Sequence, residues 1–454
     1  MNSNNINITE YFNTDVCNAA SYDNYRKIAS VVDGLKPSSR KCLYSIIKRN
    51  VKTPKKVSNL KSEASLDTQY LHGDQSLEGV IVSMAQDFAG SNNIPLLKRE
   101  GSFGTRLVHA AAAGPYIFTC QEDYLDKLFK KSDEPILIPQ EFEGDIIEPK
   151  YYVPILPLLV INGSIGLTTG FTQKILQHDV KDVIKYIENK LDGKEKNIPL
   201  IPSFNGFIGS VKPQNVNSDG SWYIIGSIKK VSGNEIEITD IPVSYSLEDY
   251  TEILDKLEEE KQIKEYKDLS DDGKFKFLVK LYRNGQGIDI NDKNILDKLK
   301  LIVAVTENFT SMDENNRVVE YKSIYEIIDH YCELRLKYYD ERKNWLIQDY
   351  TRQIKEAVSR YTFINGVVGG AIVIAKKTDE EIVSQLKKFD KIIKINDSYD
   401  YLLAMQMRSM TKTNLEKLRA QIFALRDELI RIEKMSNKDM WKEDIEEFKK
   451  AYLK

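Results

Sequence analysis

A heptad of apolar residues near the end of the chain constrains the fold more than any other feature of the sequence. Six residues are spaced 3, 4, 3, 4 and 3 positions apart: Leu415, Leu418, Ile422, Leu425, Leu429 and Ile432. This spacing is typical of a helix that packs along another helix in a coiled coil. A helical pattern of apolar residues in 323–361 supplies the second helix. We therefore predict two antiparallel coiled-coil arms, 323–361 and 411–436.

The residues between the two arms predict a compact helical knob at 362–410. A knob at the far end of two long arms is a suitable surface for self-association. Because most homo-oligomers are closed and symmetric, we expect a two-fold homodimer that encloses a space. The last residues, 437–454, are assigned to a C-terminal tail.

The rest of the chain divides by its composition and pattern. At 454 residues the chain is too long for one core, and about three domains are expected. Residues 1–25 are polar and rich in Asn, which predicts an arm that orders only against a partner. Residues 26–135 form the next unit. Short strands mixed with helices in 136–322, such as strands at 221–228 and 234–241, make the fold class α+β and multidomain.

Composition and charge exclude several classes of protein. No apolar run approaches the roughly 20 residues needed to span a bilayer, and the first residues lack the basic and apolar parts of a signal peptide. The four cysteines are scattered without a CxxC pair, which argues against a zinc site and fits a reducing, cytoplasmic location. The net charge is −3, but Lys and Arg are concentrated in residues 26–61. Such a patch binds DNA or is simply a solvated face.

Short helices are predicted within and after this basic region. A turn at 34–37 precedes a helix at 40–49, and a second helix is predicted at 57–66. A third helix is predicted at 76–89. Two short helices joined by a basic turn are the minimum for a helix-turn-helix, although helical hairpins are also common in other proteins.

Glycines and small residues bracket one tyrosine, Tyr116, in the segment 100–119. Gly101 and Gly104 permit a close approach of the backbone to a ligand, and an HGD turn containing His72 lies upstream. We interpret Tyr116 as a candidate nucleophile for a DNA phosphodiester. The alternative is that Tyr116 begins an ordinary half-buried strand, Tyr-Ile-Phe-Thr, which is rich in strand formers.

Seven stretches of the sequence together resemble the DNA breakage–reunion region of type IIA topoisomerases. They occur in the order found in that family and cover nearly the whole chain: DGLKPSSRK, YLHGD, AQDFAGSNN, EGSFGTR, PYIFT, the PILP…NGSIGLTTG stretch and YLLAMQM. FAGSNN, GTRL and YIFT are closer to the eukaryotic and viral branch than to bacterial gyrase. The length resembles that of the separate breakage–reunion subunit of the T-even phages.

This resemblance implies a winged-helix domain in 26–135, a tower in 136–322 and an exit gate in the knob. Tyr116 would form a 5′-phosphotyrosyl bond on each protomer, and a second duplex would pass through the break before resealing. Arg40 and His72 match catalytic positions of the family. The residues implied to contact DNA are Lys36, Lys41, Lys56, Lys61 and Arg106 along the backbone and Leu167 between base steps.

The sequence departs from the family at the residue before the tyrosine, where Pro115 replaces the usual arginine. One positive charge that would stabilise the transition state is therefore missing from its usual place. Arg106, a lysine or the partner would have to replace that charge, or cleavage is inefficient. Leu167 stands where the family has isoleucine, which is a mild change.

The sequence contains neither the acidic Toprim metal site nor an ATPase motif, so no metal ligand is predicted in this chain. The resemblance implies that a Toprim/ATPase partner subunit binds both Mg²⁺ and ATP, and that the other partner is double-stranded DNA. Only about twenty residues follow the heptad, which leaves no room for a DNA-wrapping domain. We therefore expect relaxation and decatenation rather than negative supercoiling.

Two other functions remain open from the sequence. The first is a non-catalytic dimeric DNA-binding clamp that kept the topoisomerase scaffold, and the Pro115 substitution is its only support. The second is a purely structural coiled-coil dimer, which does not explain DGLKP, HGD and GSFGTR together.

Overall fold

The computed structural model describes residues 7–194, 198–215, 220–283, 286–406, 408 and 410–453. Met407, the last residue of the YLLAMQM stretch, lies outside these residues. The chain divides into two compact units, of which the first comprises 1–131, 137–335 and 444–454 and the second comprises 132–136 and 336–443. No helix in the described part of the chain is both long and apolar enough to cross a membrane.

The first unit begins with a run of five helices, of which the last three share one apolar core. The predicted helices at 40–49, 57–66 and 76–89 are present with shifted ends. The first of them begins earlier than predicted because Pro37, whose fixed φ suits the first turn of a helix, is its opening residue. The helices are α1 (Ile8–Tyr11), α2 (Cys17–Lys27), α3 (Pro37–Lys48), α4 (Val57–Thr68) and α5 (Gln75–Ala85).

The core of this helical group consists of the inward faces of α3, α4 and α5. Leu43 and Ile46 of α3, Leu60 of α4 and Ile81 of α5 are at most 1% exposed. A two-stranded antiparallel sheet of β1 (Lys55–Lys56) and β2 (Phe118–Thr119) lies beside α4. Its second strand begins two residues after Tyr116, so this small sheet connects the tyrosine segment to the helices.

The middle of the first unit contains short helices and hairpins. The strands of each hairpin are antiparallel. The helix α7 is short but buried, with Leu158–Ile161 at most 2% exposed. The elements are α6 (Leu125–Leu128), β3 (Glu141–Phe142), β4 (Asp145–Ile146), α7 (Leu158–Asn162), β5 (Ser164–Leu167), β6 (Thr172–Ile175) and α8 (Val180–Leu191).

The α+β part of the first unit is built on two antiparallel sheets. The strands are β7 (Ser210–Pro213), β8 (Ser221–Ile225), β9 (Ser227–Ser232), β10 (Glu235–Asp240), β11 (Glu265–Asp268), β12 (Phe277–Lys280) and β13 (Ile302–Thr306). One sheet has the order β13-β8-β7, and the other has the order β11-β12-β10-β9. The remaining elements are α9 (Leu247–Glu259), α10 (Ile295–Lys298), β14 (Thr310–Met312) and β15 (Val318–Glu320), and the last two pair with each other.

The single strand predicted at 221–228 is wrong, because the chain changes sheets at Gly226. A Cβ atom at this position would lie 2.7 Å from the carbonyl oxygen of Asp240, so only glycine allows the close approach. Helix α9 covers the larger sheet, and Tyr250 and Leu254 of α9 share a fully buried core with Ile238 and Phe277.

Two long helices dominate the second unit. Helix α11 (Ile324–Val368) enters this unit from the first, and α14 (Lys412–Lys434) returns antiparallel to it. Lys343 Nζ donates to the carbonyl oxygen of Met435 at 2.7 Å, whereas Phe363 belongs to the core against which Leu415 packs. Helix α11 continues beyond the predicted end at residue 361 and stops just before Gly369, the first of two consecutive glycines.

The apolar heptad residues lie on the buried side of α14, and Leu415 and Leu418 pack against the core that contains Phe363 and Ile364 of α11. Ile422 and Ile432 are buried and the other four heptad residues are half-buried, whereas Phe423 and Ile430, which lie off the heptad, are exposed. The helices α12 (Asp379–Leu386) and α13 (Asp400–Leu403) lie between the two long helices in the chain. The segment assigned to a tail contains α15 (Asn437–Tyr452), and Trp441, Ile445 and Phe448 of this helix are fully buried.

Candidate active site and nucleic-acid interface

Tyr116 lies at the end of one short 3-10 turn, Gly114–Tyr116, rather than within a strand. Its backbone N–H donates to the carbonyl oxygen of Ala113 at 2.9 Å, and Pro115 restricts the backbone inside the turn. The Tyr116 side chain is 77% exposed. Among the described residues, none hydrogen-bonds to its hydroxyl group. A fixed backbone therefore presents a free phenol to solvent, and the strand that was the alternative begins only at Phe118, so it does not include Tyr116.

The side chain of Glu78, on α5, binds the backbone of this turn. Its Oε1 atom accepts a hydrogen bond from the backbone N–H of Gly114 at 2.8 Å, and its Oε2 atom pairs with Lys61 Nζ at 2.9 Å. A Cβ atom on Gly114 would lie 2.6 Å from the Glu78 carboxyl carbon. The hydrogen bond from Lys61 lowers the pKa of Glu78, which keeps the carboxylate charged. The sequence contained no signal for this residue, because the contact joins positions 36 residues apart.

The start of α4 lies against the tyrosine segment. The backbone N–H of Val57 donates to the carbonyl oxygen of Ile117 at 3.1 Å, and Lys56 is opposite Phe118 in the small sheet. Lys56 is exposed and precedes the first residue of α4. The structure thus brings three of the predicted site residues, Tyr116, Lys56 and Lys61, into one neighbourhood.

The β5–β6 hairpin carries a second group of predicted residues. Leu167 is 73% exposed, and Ile165, which is on the same face of β5 because strand side chains alternate, is 68% exposed. Lys36 Nζ donates to the carbonyl oxygen of Ile165 at 2.7 Å, and burial lowers the pKa of this lysine. The sequence analysis identified Leu167 and missed Ile165, although the spacing of two in a strand could have indicated it.

His72 is exposed in the HGD turn. Its Nε2 atom lies 2.9 Å from the hydroxyl group of Tyr22 on α2, and its ring contacts the edge of the Tyr70 ring. The next residue of α2, Asp23, accepts a hydrogen bond from the backbone N–H of Thr169 at 3.1 Å. Helix α2 therefore connects the HGD turn to the β5–β6 hairpin.

Besides Lys61, which pairs with Glu78, two further predicted site residues are held in ion pairs. Arg40 is 4% exposed and forms two parallel hydrogen bonds with the buried Asp33, at 2.7 and 3.0 Å. Lys41 is half-buried and pairs with Glu148 at 2.7 Å. In this arrangement the guanidinium group of Arg40 is directed into the protein and does not face a surface where a phosphate could bind.

Arg106 lies in the core of the α+β part. It is 6% exposed, and its guanidinium group donates to the carbonyl oxygens of Tyr245 at 2.8 Å and Pro242 at 3.0 Å. The sequence between Arg106 and Tyr116 contains no Lys or Arg. Positive charge near the tyrosine therefore comes from α4 and β1 rather than from its own loop.

The described residues contain no group of three or more His, Cys, Asp or Glu side chains that could hold a metal ion. The acidic residues near the site have other partners. Glu78 pairs with Lys61, and Glu63 pairs with Lys55 at 3.3 Å.

Comparison with known proteins identifies the family. Residues 26–446 match the family of DNA gyrase and topoisomerase IV A subunits. DNA topoisomerase 2 from Penicillium chrysogenum is 32% identical, over 98% of this chain and 30% of the relative's length. The mitochondrial DNA topoisomerase 2 of Dictyostelium discoideum is 31% identical, over 98% and 35%. DNA topoisomerase 2 of Invertebrate iridescent virus 6 is 28% identical, over 97% and 38%.

The chain thus spans about a third of the length of these relatives. A crystal structure of the DNA-binding, cleavage and re-ligation domain of Plasmodium falciparum topoisomerase II is also similar. It matches with a TM-score of 0.88 and 30% identity, over 98% of this chain and 64% of that chain. The chain therefore belongs to the family of DNA gyrase and topoisomerase IV A subunits, the DNA breakage–reunion family of type IIA topoisomerases.

Proposed function

We propose that this chain is the DNA-cleaving and rejoining subunit of an ATP-dependent type IIA topoisomerase, with Tyr116 as its nucleophile. The observation that carries the proposal is the exposed, unpartnered Tyr116 on a backbone turn that Glu78 and the small sheet hold in place. The phenol oxygen attacks a backbone phosphate, a phosphorus–oxygen bond forms, and the bond to the 3′ oxygen breaks. The 3′ hydroxyl group leaves with a proton, and the reverse attack restores the DNA.

The surrounding lysines support this chemistry. A phenol with an ordinary pKa near ~10 is a poor nucleophile at neutral pH and benefits from nearby cations. Lys56 lies opposite Phe118 in the small sheet, and Lys61 pairs with Glu78, which binds the tyrosine turn. We assign both lysines to the DNA backbone together with Lys36. His72, exposed beside Tyr22, is assigned to the same surface.

The β5–β6 hairpin is proposed to bend the DNA. An exposed leucine is unfavourable in water but suits insertion between base steps, which costs unstacking and gains wrapped contact. Leu167 is the proposed wedge, and the equally exposed Ile165 widens it. Lys36, hydrogen-bonded to the backbone of the hairpin, lies where it can contact an adjacent phosphate.

Arg40 and Lys41 receive a different role from the one that the resemblance implied. Their partners Asp33 and Glu148 are at most 3% exposed, so the two ion pairs fix the start of α3 inside the protein. We assign Arg40 to holding the DGLKP turn, which in turn presents Lys36.

The proposal divides the chain into the parts known from the family. Residues 26–135 act as the winged-helix domain, 136–322 as the tower, and α11 with α14 as the coiled coil. The segment 362–410 has its own core, which includes Ile364, Leu386 and Leu402, and is the proposed surface of a homodimer. Mg²⁺ and ATP are assigned to a Toprim/ATPase partner subunit, as the family resemblance implies.

A non-catalytic DNA-binding clamp is the second candidate. Three observations favour it: Pro115 replaces the usual arginine, Arg40 is paired with Asp33, and Arg106 is buried. A clamp of this kind would bind and bend DNA without forming a covalent bond.

A covalent-trapping assay separates the two candidates. The chain is mixed with its partner subunit, Mg²⁺ and end-labelled duplex DNA, stopped with detergent, and examined for a protein–DNA adduct. Tyr116→Phe is expected to abolish the adduct while DNA binding persists. Tyr223→Phe, which removes the hydroxyl group of another exposed tyrosine in β8, is the matched control and should form the adduct normally. If the parent protein forms no adduct together with an active partner subunit, the non-catalytic clamp is the function that remains.

A further inference from the structure

The side chain of Arg106 anchors the segment before Tyr116 to the α+β part of the molecule. Its two terminal nitrogens donate to the carbonyl oxygens of Tyr245 and Pro242, and its guanidinium carbon lies 5.1 Å from the centre of the Phe275 ring. The neighbouring Leu107 packs against the core of the larger sheet. This short segment therefore belongs to the α+β part by its contacts, although it precedes the tyrosine in sequence.

The chemistry of this contact suits a guanidinium group in particular. Arginine offers five N–H donors in a rigid planar fork, so one side chain can bind carbonyl oxygens from two different residues. The surrounding groups are backbone carbonyls, and burial lowers the pKa of Arg106 while Asp240 partly opposes that effect. A buried cation without a direct carboxylate partner is costly unless its hydrogen bonds are satisfied. The carbonyl groups satisfy the two terminal nitrogens, whereas the buried Nε atom has no hydrogen-bond partner among the described residues. Movement that broke the two carbonyl contacts would leave the whole guanidinium group unsatisfied.

The other end of the segment is fixed to the helices. Gln86, the residue that follows α5, donates from Nε2 to the carbonyl oxygens of Phe103 at 2.8 Å and His109 at 3.1 Å. Ala112 N–H donates to the carbonyl oxygen of Ser102 at 2.9 Å, which closes the loop. Glu78 then holds Gly114, as described above. The loop is thus a short, internally bonded link between the α+β part and the tyrosine turn.

We propose that Arg106 is a positioning residue that makes the nucleophile turn and the tower move as one body. The inference rests on the proposed function, and it replaces the DNA-backbone contact that the family resemblance implied for Arg106. When the tower engages bent DNA, the link sets where Tyr116 lies relative to the scissile phosphate. DNA bending and cleavage are then coupled through this one buried side chain.

The first test compares Arg106→Met with Arg99→Met. Methionine keeps an unbranched apolar stem but removes the forked donor. Arg99 belongs to the same part of the chain, but its guanidinium group pairs with Asp87 at the surface at 2.7 Å, so Arg99→Met is the matched control. We expect Arg106→Met to lower the adduct yield roughly tenfold or more, because small displacements of a reacting group are costly. Its Kd for a short duplex should stay within about twofold of the parent, and its salt dependence should be unchanged.

A phosphate contact would give the opposite result. Arg106→Met would then weaken DNA binding and reduce the slope of log K against log salt by about one, and that outcome would overturn the proposal. An adduct yield equal to that of the parent would also overturn it. If Arg106→Met does not fold, Arg106→Lys replaces it in both measurements. Lysine keeps the positive charge but has a single nitrogen to donate hydrogen bonds, so a smaller loss of adduct yield is expected.

A redox rescue tests the linkage itself. A Cβ atom on Gly273 would lie 3.5 Å from the Cβ atom of Thr105, within the range of about 3.5–4.5 Å found for disulfides. Thr105→Cys with Gly273→Cys, placed in the Arg106→Met background with the exposed Cys17 changed to serine, would rejoin the loop to the tower. Gly273 has φ +73°, a left-handed conformation in which cysteine is strained.

Oxidation is expected to restore cleavage in this variant, and reduction is expected to remove it again. A protein whose fold had merely loosened would not recover tenfold in cleavage at constant DNA affinity. A disulfide that forms without restoring cleavage would overturn the inference. Failure of the proposed function is distinguishable, because the parent itself would then form no adduct.

Discussion

The starts of α3 and α4 carry similar basic sequences, but the protein uses them differently. At α3, Arg40 and Lys41 pair with Asp33 and Glu148. At α4, Lys56 is exposed at the edge of the small sheet beside the tyrosine turn. The difference arises from the buried carboxylates, which convert nearby cations into internal supports. A basic residue in a DNA-binding segment is therefore a candidate for contacting phosphate only where it forms no ion pair with a buried acidic side chain.

The largest expected effect comes from Arg40→Met. Removing one partner of a buried ion pair leaves the Asp33 carboxylate uncompensated, which typically costs about 3–5 kcal/mol. We expect the free energy of unfolding, measured by urea denaturation, to fall by this amount. For the fraction that remains folded, the salt dependence of DNA binding should equal that of the parent. Full stability together with a reduced salt slope would show that Arg40 contacts a phosphate after all.

Lys56→Met should give the reverse pattern. The side chain is exposed, so the free energy of unfolding should change by no more than about 0.5 kcal/mol. Loss of a phosphate contact should reduce the slope of log K against log salt by about one. This slope is measured by fluorescence anisotropy with a labelled duplex at several salt concentrations. An unchanged slope would remove Lys56 from the interface and with it the contrast between the two helix starts.

Of the three variants, Glu78→Gln is expected to have the smallest effect. It tests the ion pair between Glu78 and Lys61 of α4. The amide still accepts a hydrogen bond from Gly114 but loses the ion pair with Lys61, so the expected loss is at most about 1 kcal/mol. The pKa of Glu78 is lowered below its ordinary value of 4.5, so its contribution is present above that value and is lost as pH falls through the folded-state pKa. The gap in unfolding free energy between parent and variant should therefore be larger at pH 7 than at pH 3. An equal gap at both pH values would contradict the ion pair.

Features with a local signal were predictable from the sequence. The heptad fixed the buried edge of α14, because helical spacing decides which side chains share a face. The helices at α3, α4 and α5 followed from apolar spacing and turn residues. The family motifs identified the tyrosine segment, and the named relatives are eukaryotic and viral, in line with FAGSNN, GTRL and YIFT.

Features that depend on distant partners were not predictable. Arg106 meets carbonyl groups more than 130 residues away in sequence, and Asp33 meets the backbone of Tyr152, 119 residues away. The hydrogen bond from the Gly114 N–H to Glu78 likewise depends on how α5 packs. Periodicity and motifs indicate which residues share one face of a helix or strand. They do not indicate which distant part of the chain packs against that face.

Mapping the covalent bond tests the central claim most directly. The trapped adduct is digested with nuclease and protease, and the peptide that carries the remaining nucleotide is identified by mass spectrometry. The account predicts a single peptide with the nucleotide attached to Tyr116 through its 5′ phosphate. Attachment to any other residue, or through a 3′ phosphate, would contradict it.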